Sequence, residues 1–312
     1  MNEDFPIGIS DLPTEGVNHE SRDLDLRSIK EILELINEQD RLVPMAVENC
    51  ISDIEHAVAA SLERVNKGGR VIYVGSGTSG RIAELDASEI LPTYGYQKEK
   101  FFAIQSGLTI HSLEFPEQID SGASEDFIEL APKVLAGYNL KPIDVVFGIA
   151  ASGRTPFVLS ALEYSHKIGA LTIFLTNNDT FTIHPSIDIC ITCEVGPEVI
   201  MGSTRMKSGT SQKLILNMFS TALMVKLGNS YSNLMTHMKI GNSKLNDRAI
   251  RIVAAATSES ISTCTNMLIT TNNDIPLAIV HLKSRKPIDE CKQALSKNLN
   301  QIRSALREFG IE

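Results

Sequence analysis

The chain has 312 residues, 43% of them hydrophobic and 21% charged, which suits a packed globular protein and is too apolar for a disordered one. Its net charge of −9 argues against a general nucleic-acid binder and gives no attraction to anionic membrane, so any anion site must be local. No apolar run reaches the ~20 residues that span a bilayer, the start MNEDFPIGIS does not read as a signal peptide, and five scattered cysteines (Cys50, Cys190, Cys193, Cys264, Cys291) fit free thiols, which together predict a cytoplasmic location.

Residues 1–13 read as an arm, with Pro6, Gly8 and Pro13 opposing regular structure. The polar TEGVNHESRDLD at 14–25 follows, extended or turn-like, and on composition it could be a solvated linker. Ile29, Ile32, Leu33 and Ile36 have helical spacing within 28–39. A second helix is expected over 43–65, ended by Gly68-Gly69. The pattern then changes. Expected strands at 71–74, 101–104, 145–149, 171–175 and 187–191 alternate with helices at 79–90, 124–135 and 156–168. Such alternation predicts an α/β fold with a central parallel sheet covered on both faces, and ligands bound at the carboxyl ends of the strands. The nearly continuous apolar stretch 214–227 predicts a buried helix, and the remainder reads as helices at 247–256, 258–266, 276–281 and 287–309.

Three polar turns carry the chemistry. Val71-Ile72-Tyr73-Val74 opens into Gly75-Ser76-Gly77-Thr78-Ser79-Gly80-Arg81. Glycines let backbone N–H groups approach an anion, hydroxyls add donors, and a helix N-terminus favours negative charge. The turn formally matches G-x-G-x-x-G, but the second strand ends in Gln105-Ser106-Gly107 rather than the acid that a dinucleotide ribose needs, and no lysine follows as in a P-loop. The strand at 145–149 opens in the same way into Ala150-Ala151-Ser152-Gly153-Arg154-Thr155-Pro156. Two such turns on one parallel sheet can converge on one phosphorylated ligand. The third cluster, 202–210, precedes the apolar helix and could equally be ordinary N-capping by Ser208 or Thr210. Cys190 and Cys193 are formally C-x-x-C but fall on opposite faces of a strand, so neither a zinc nor a redox site is expected.

VIYVGSGTSGR, DVVFGIAASGRTP and EVGPEVIMGSTRMKSGTSQKLILNMFSTA, with TEGVNHESRDLD and LDASEILPTYG, resemble the sugar isomerase (SIS) superfamily and, within it, the N-acetylmuramic acid 6-phosphate etherase family. The resemblance covers roughly residues 13–250. It implies an SIS-type three-layer sandwich with helical additions, divided as 1–60 arm and helices, 61–230 SIS domain and 231–312 helical region. It also implies a carbon–oxygen lyase that removes D-lactate from the phosphorylated amino sugar, with no cofactor and no metal, and a homodimer with sites near the subunit interface. Phosphate and sugar would be held by Ser76, Gly77, Thr78, Ser79, Ser152, Arg154 and Thr155, with Glu198, Ser203, Thr204 and Lys207 closing the pocket. Glu89 of the LDASE phrase would be the acid/base residue. The family's second acid lies in an EG-A-ED phrase, from which FPEQIDSGASEDFIEL departs. Glu125 is its best match, with Glu114 and Glu117 as alternatives, and its plain reading is a first-turn helix acid. A straight helix from Ser79 would place Glu89 about 15 Å from its own phosphate turn, so either that helix breaks early or Glu89 serves a second subunit's site. The rival readings are a non-catalytic sugar-phosphate sensor resembling glucokinase regulatory protein, and an aldose–ketose isomerase.

Overall fold

The computed structural model describes residues 12–107, 123–179 and 184–311, so Glu114 and Glu117 lie outside the described residues. Five strands, β1 (Val71–Gly75), β2 (Phe101–Gln105), β3 (Val145–Ile149), β4 (Leu171–Thr176) and β5 (Ile189–Thr192), form one parallel sheet in the order β2-β1-β3-β4-β5. The register pairs Gly75 with both Gln105 and Ile149, so the turns after β1, β2 and β3 leave the sheet at one level. β1, β3 and β4 are buried throughout, which is why they read as unbroken apolar runs rather than alternating ones.

Twelve helices are described: α1 (Ile29–Asp40), α2 (Leu42–Glu48), α3 (Ile51–Asn66), α4 (Gly77–Tyr94), α5 (Leu130–Gly137), α6 (Pro156–Ile168), α7 (Lys207–Lys226), α8 (Ser243–Thr257), α9 (Ile261–Thr270), α10 (Ile275–Ser284), α11 (Ile288–Lys297) and α12 (Ile302–Glu308). The chain divides into two compact units, residues 1–87 with 99–220, and residues 88–98 with 221–312. In the first unit, α5 and α6 cover one face of the sheet through Val134, Leu135, Phe157, Val158 and Leu162, packed on Ile72, Val74, Val146 and Phe174. On the other face Tyr73 and Phe147 meet Phe219 of α7. Helices on both faces of the parallel sheet make this a three-layer sandwich, the expected architecture. The second unit is built around its own apolar cluster from α8 to α12, including Val253, Leu268, Ile279, Leu295 and Leu306. No helix among the described residues is long and apolar enough to cross a membrane.

Several element boundaries differ from the sequence expectations, the following four among them. The helix expected over 43–65 is two, parted at Asn49-Cys50, where the Cys50 thiol reaches the carbonyl of Thr192 at the end of β5 (3.2 Å). The helix expected from 124 starts at Leu130, because Pro132 is tolerated only in a first turn; before it lies a 3-10 turn, Ala123–Asp126. α4 begins two residues earlier than expected, with the Gly80 N–H on the Ser76 carbonyl (3.0 Å), and it passes Pro92 before ending at Tyr94. The helix expected over 287–309 is α11 and α12, separated by Leu299 and Asn300 at positive φ.

Candidate functional site

The site is built where β1 and β3 end. Gly75 must be glycine, since a Cβ there would lie 2.8 Å from the backbone nitrogen of Gly80. That close approach folds the chain straight from strand into α4 and presents Ser76, Gly77, Thr78 and Ser79 at the helix N-terminus. Ser76 and Ser79 are largely buried, and Gly77 and Thr78 are half-buried. Among the described residues the Ser76 hydroxyl has no hydrogen-bond partner. The matching turn after β3 is held by Gly153 at φ +75° and by the Arg154 N–H donating to Ser152 Oγ (3.2 Å). Thr155 is the N-cap residue of α6 with its side chain not engaged in capping, and Pro156 starts the helix. Two helix N-termini, those of α4 and α6, therefore open at the carboxyl edge of neighbouring strands.

Glu125 comes to this edge. A Cβ built on Gly77 would meet Glu125 Oε1 at 2.9 Å, so the carboxylate lies directly over the β1–α4 turn. Burial, and then the neighbouring Asp126, push its pKa up. A carboxyl that holds its proton more tightly than usual is the kind of group that acid–base chemistry uses. Glu89 lies on α4 twelve residues after Gly77 and is exposed. The helix carries no break between them.

The third cluster forms the start of α7. Glu198 is fully buried and caps that helix from outside it. Its Oε2 accepts the Lys207 N–H (3.0 Å), and its Oε1 accepts both the N–H and the hydroxyl of Ser208 (2.9 Å each). Lys207 is 2% exposed, and its ammonium donates to Gln39 Oε1 (2.9 Å). Burial lowers its pKa, with Glu198, Asp40 and Glu20 opposing that shift. Glu198 and Lys207 thus brace this wall from behind, while Ser203 and Thr204 are half-buried on the loop itself. Gly209 on α7 lies beside Thr78 and Ile82 of α4, so the first and third turns are adjacent.

Two features of the edge were not singled out in the sequence. Thr14, in the polar stretch that could have been a linker, is fully buried; its N–H donates to Asn178 Oδ1 (3.1 Å) and its hydroxyl accepts from Asn178 Nδ2 (3.0 Å). Asn178 also donates to the Ala151 carbonyl (2.8 Å), so the stretch after residue 12 is strapped to the β3 turn. The available signal was Asn177-Asn178, a polar pair directly after an apolar strand. The second feature is Asp86, buried in the LDASE phrase between Tyr73, Asn217 and Ser220.

The SIS domain family model matches residues 35–177. An N-acetylmuramic acid 6-phosphate etherase of Oceanobacillus iheyensis is 46% identical over 286 residues, covering 92% of this chain and 96% of that protein. Another, from Caldanaerobacter subterraneus, is 43% identical over 299 residues, covering 96% of each. The structure of a phosphoheptose isomerase from Francisella tularensis superposes with a TM-score of 0.50 at 19% identity, over 64% of this chain and 100% of that one, which is a likeness of fold. With two relatives above 40% identity over nearly their whole length, this chain belongs to the N-acetylmuramic acid 6-phosphate etherase family.

Proposed function

We propose that this chain cleaves the D-lactyl ether of N-acetylmuramic acid 6-phosphate, giving N-acetylglucosamine 6-phosphate and D-lactate. The relatives support the substrate. The observation that carries the chemistry is Glu125 over the glycine turn at Gly77, a carboxyl of raised pKa beside a helix N-terminus suited to the sugar phosphate. In the open-chain sugar the C1 aldehyde acidifies the C2 proton. A base takes that proton, the C2=C3 double bond forms, and the C3–oxygen bond breaks with protonation of the departing lactate oxygen. Water then adds, its oxygen to C3 and a proton to C2. Each step moves protons and none moves electrons to an acceptor, which makes the enzyme a carbon–oxygen lyase. Glu125 is assigned the C2 proton and Glu89 the leaving oxygen. Ser152, Arg154 and Thr155 would hold the phosphate; Ser76, Thr78 and Ser79 would hold phosphate and sugar; Ser203 and Thr204 would close over them.

The unbroken run of α4 favours the second of the two arrangements open for Glu89, a homodimer in which it serves the partner's site. Five free thiols fit a reducing cytoplasm. The experiment is incubation with N-acetylmuramic acid 6-phosphate and measurement of D-lactate. Wild type releases it, and Glu89→Ala and Glu125→Gln each release it at least about 100-fold more slowly. Absence of lactate from wild type contradicts the function. Undiminished rates in either variant contradict only that assignment.

A further inference from the structure

Asp86 has no part in the chemistry above, yet it is among the few buried carboxylates of the first unit. Its Oδ2 accepts the Tyr73 hydroxyl (3.0 Å) from β1, and its Oδ1 accepts Asn217 Nδ2 (2.5 Å) and the Ser220 hydroxyl (3.1 Å) from α7. All three partners are neutral side chains, and the cation that favours its charged form, Lys213, is exposed. Burying a charge among neutral partners is an expensive way to hold helices together, and an apolar side chain of that size would do so at less cost.

What the carboxylate supplies is direction. Up to residue 87, the buried face of α4 is Ser79, Gly80, Ala83, Asp86 and Ala87. The start of α4 is held on β1 by the close approach of Gly75 and Gly80, but beyond that start Ala83 and Ala87 are too small to key the helix into a neighbour. Asp86 alone on that face reaches out to fixed donors on two other elements. α4 and α7 run side by side in parallel here, Thr78 beside Gly209 near their starts and Asp86 bonded to Asn217 about two turns on, a constant offset of 131 residues. Parallel neighbouring helix dipoles repel, which raises the need for a specific tie.

We infer that Asp86 is a positioning residue: its three hydrogen bonds fix the roll of α4 beyond its anchored start and so aim Glu89, one helical turn further along. The inference rests on the functional reading above. Side chains lie about 6 Å from a helix axis, so a roll of about 10° moves the Glu89 carboxylate by about 1 Å. A misplacement of that size costs on the order of 100-fold in rate.

The test is the steady-state kinetics of Asp86→Ala and Asp86→Asn with N-acetylmuramic acid 6-phosphate, alongside binding of N-acetylglucosamine 6-phosphate and thermal unfolding. Asp86→Ala should lower kcat on the order of 100-fold while KM and product affinity stay within about threefold, because Ser152, Arg154 and Thr155 lie off α4 and the start of α4, with Ser76, Thr78 and Ser79, stays held on β1 by the close approach of Gly75 and Gly80. Asp86→Asn, whose oxygen can still accept from Tyr73 or Ser220, should recover part of kcat. Should Asp86→Ala fail to fold, Asn217→Ala and Ser220→Ala each remove one bond and should show the same split to a smaller degree. Folded variants with kcat within twofold of wild type overturn the inference, as does a parallel loss of kcat and product affinity, the sign of general loosening. Wild type that releases no lactate overturns the functional reading and this inference with it; an active wild type with an undiminished Asp86→Ala overturns this inference alone.

Discussion

Alanine at position 77 would carry a Cβ at φ +53° and 2.9 Å from Glu125 Oε1. The left-handed backbone costs about 1 kcal/mol, roughly 2–4 °C in Tm for a chain of this size, and the methyl displaces the carboxylate. Gly77→Ala should therefore lose at least about tenfold in kcat/KM, well beyond what its modest loss of stability explains, as parallel assay and thermal unfolding will show. Arg70 and Asp144 offer a prediction in pH. Burial disfavours the Asp144 carboxylate, but the Arg70 ion pair (2.6 Å) and the N–H groups of Lys141 and Arg70 outweigh it and hold its pKa below the usual range. A depressed carboxyl stabilises fully above its unfolded value of about 3.9, and that contribution is lost as pH falls through the folded value. Arg70→Ala, which leaves a buried charge unpaired, should cost about 3–5 kcal/mol in urea unfolding at pH 7. The gap from wild type should narrow steadily below about pH 4.

α7 starts where it does because Glu198 satisfies its first turn, and Glu198→Ala should expose that dependence. Three donors lose their acceptor and the buried Lys207 ammonium loses the strongest of the carboxylates that favour its charge, so a loss of about 3 kcal/mol or more is expected in denaturant unfolding. The apolar run places this helix over 214–227, with N-capping by Ser208 or Thr210 as one reading of the polar cluster before it; the helix instead starts at Lys207, because a cap supplied from nine residues upstream has no local signature. Where the cap is local, the boundaries were legible: α6 runs from Pro156 to Ile168 as expected, between a proline at its first position and Gly169 at φ +89°. The split of α2 from α3 was not legible, since it follows a contact between Cys50 and Thr192 that only the folded sheet creates.

The parallel sheet and the two turns at its carboxyl edge could be read from alternating strands and helices, because a parallel sheet makes each strand apolar and each turn polar, whereas the strand order β2-β1-β3-β4-β5 comes from the fold alone. The strap from Thr14 to Asn178 could not, since its partners are 164 positions apart. Subunit sharing belongs to this level too. If Glu89 serves a partner's site, specific activity should fall on dilution in step with dissociation of a dimer followed by analytical ultracentrifugation. A monomer with full specific activity would contradict sharing.

Cleavage of the sugar C3–oxygen bond, the central claim, is tested most directly by running the reaction in water enriched in ¹⁸O and weighing both products by mass spectrometry. The account predicts D-lactate that keeps its original oxygen and N-acetylglucosamine 6-phosphate carrying one ¹⁸O at C3, because the sugar C3–oxygen bond breaks and water replaces it. Label in lactate, or no lactate at all, would contradict it.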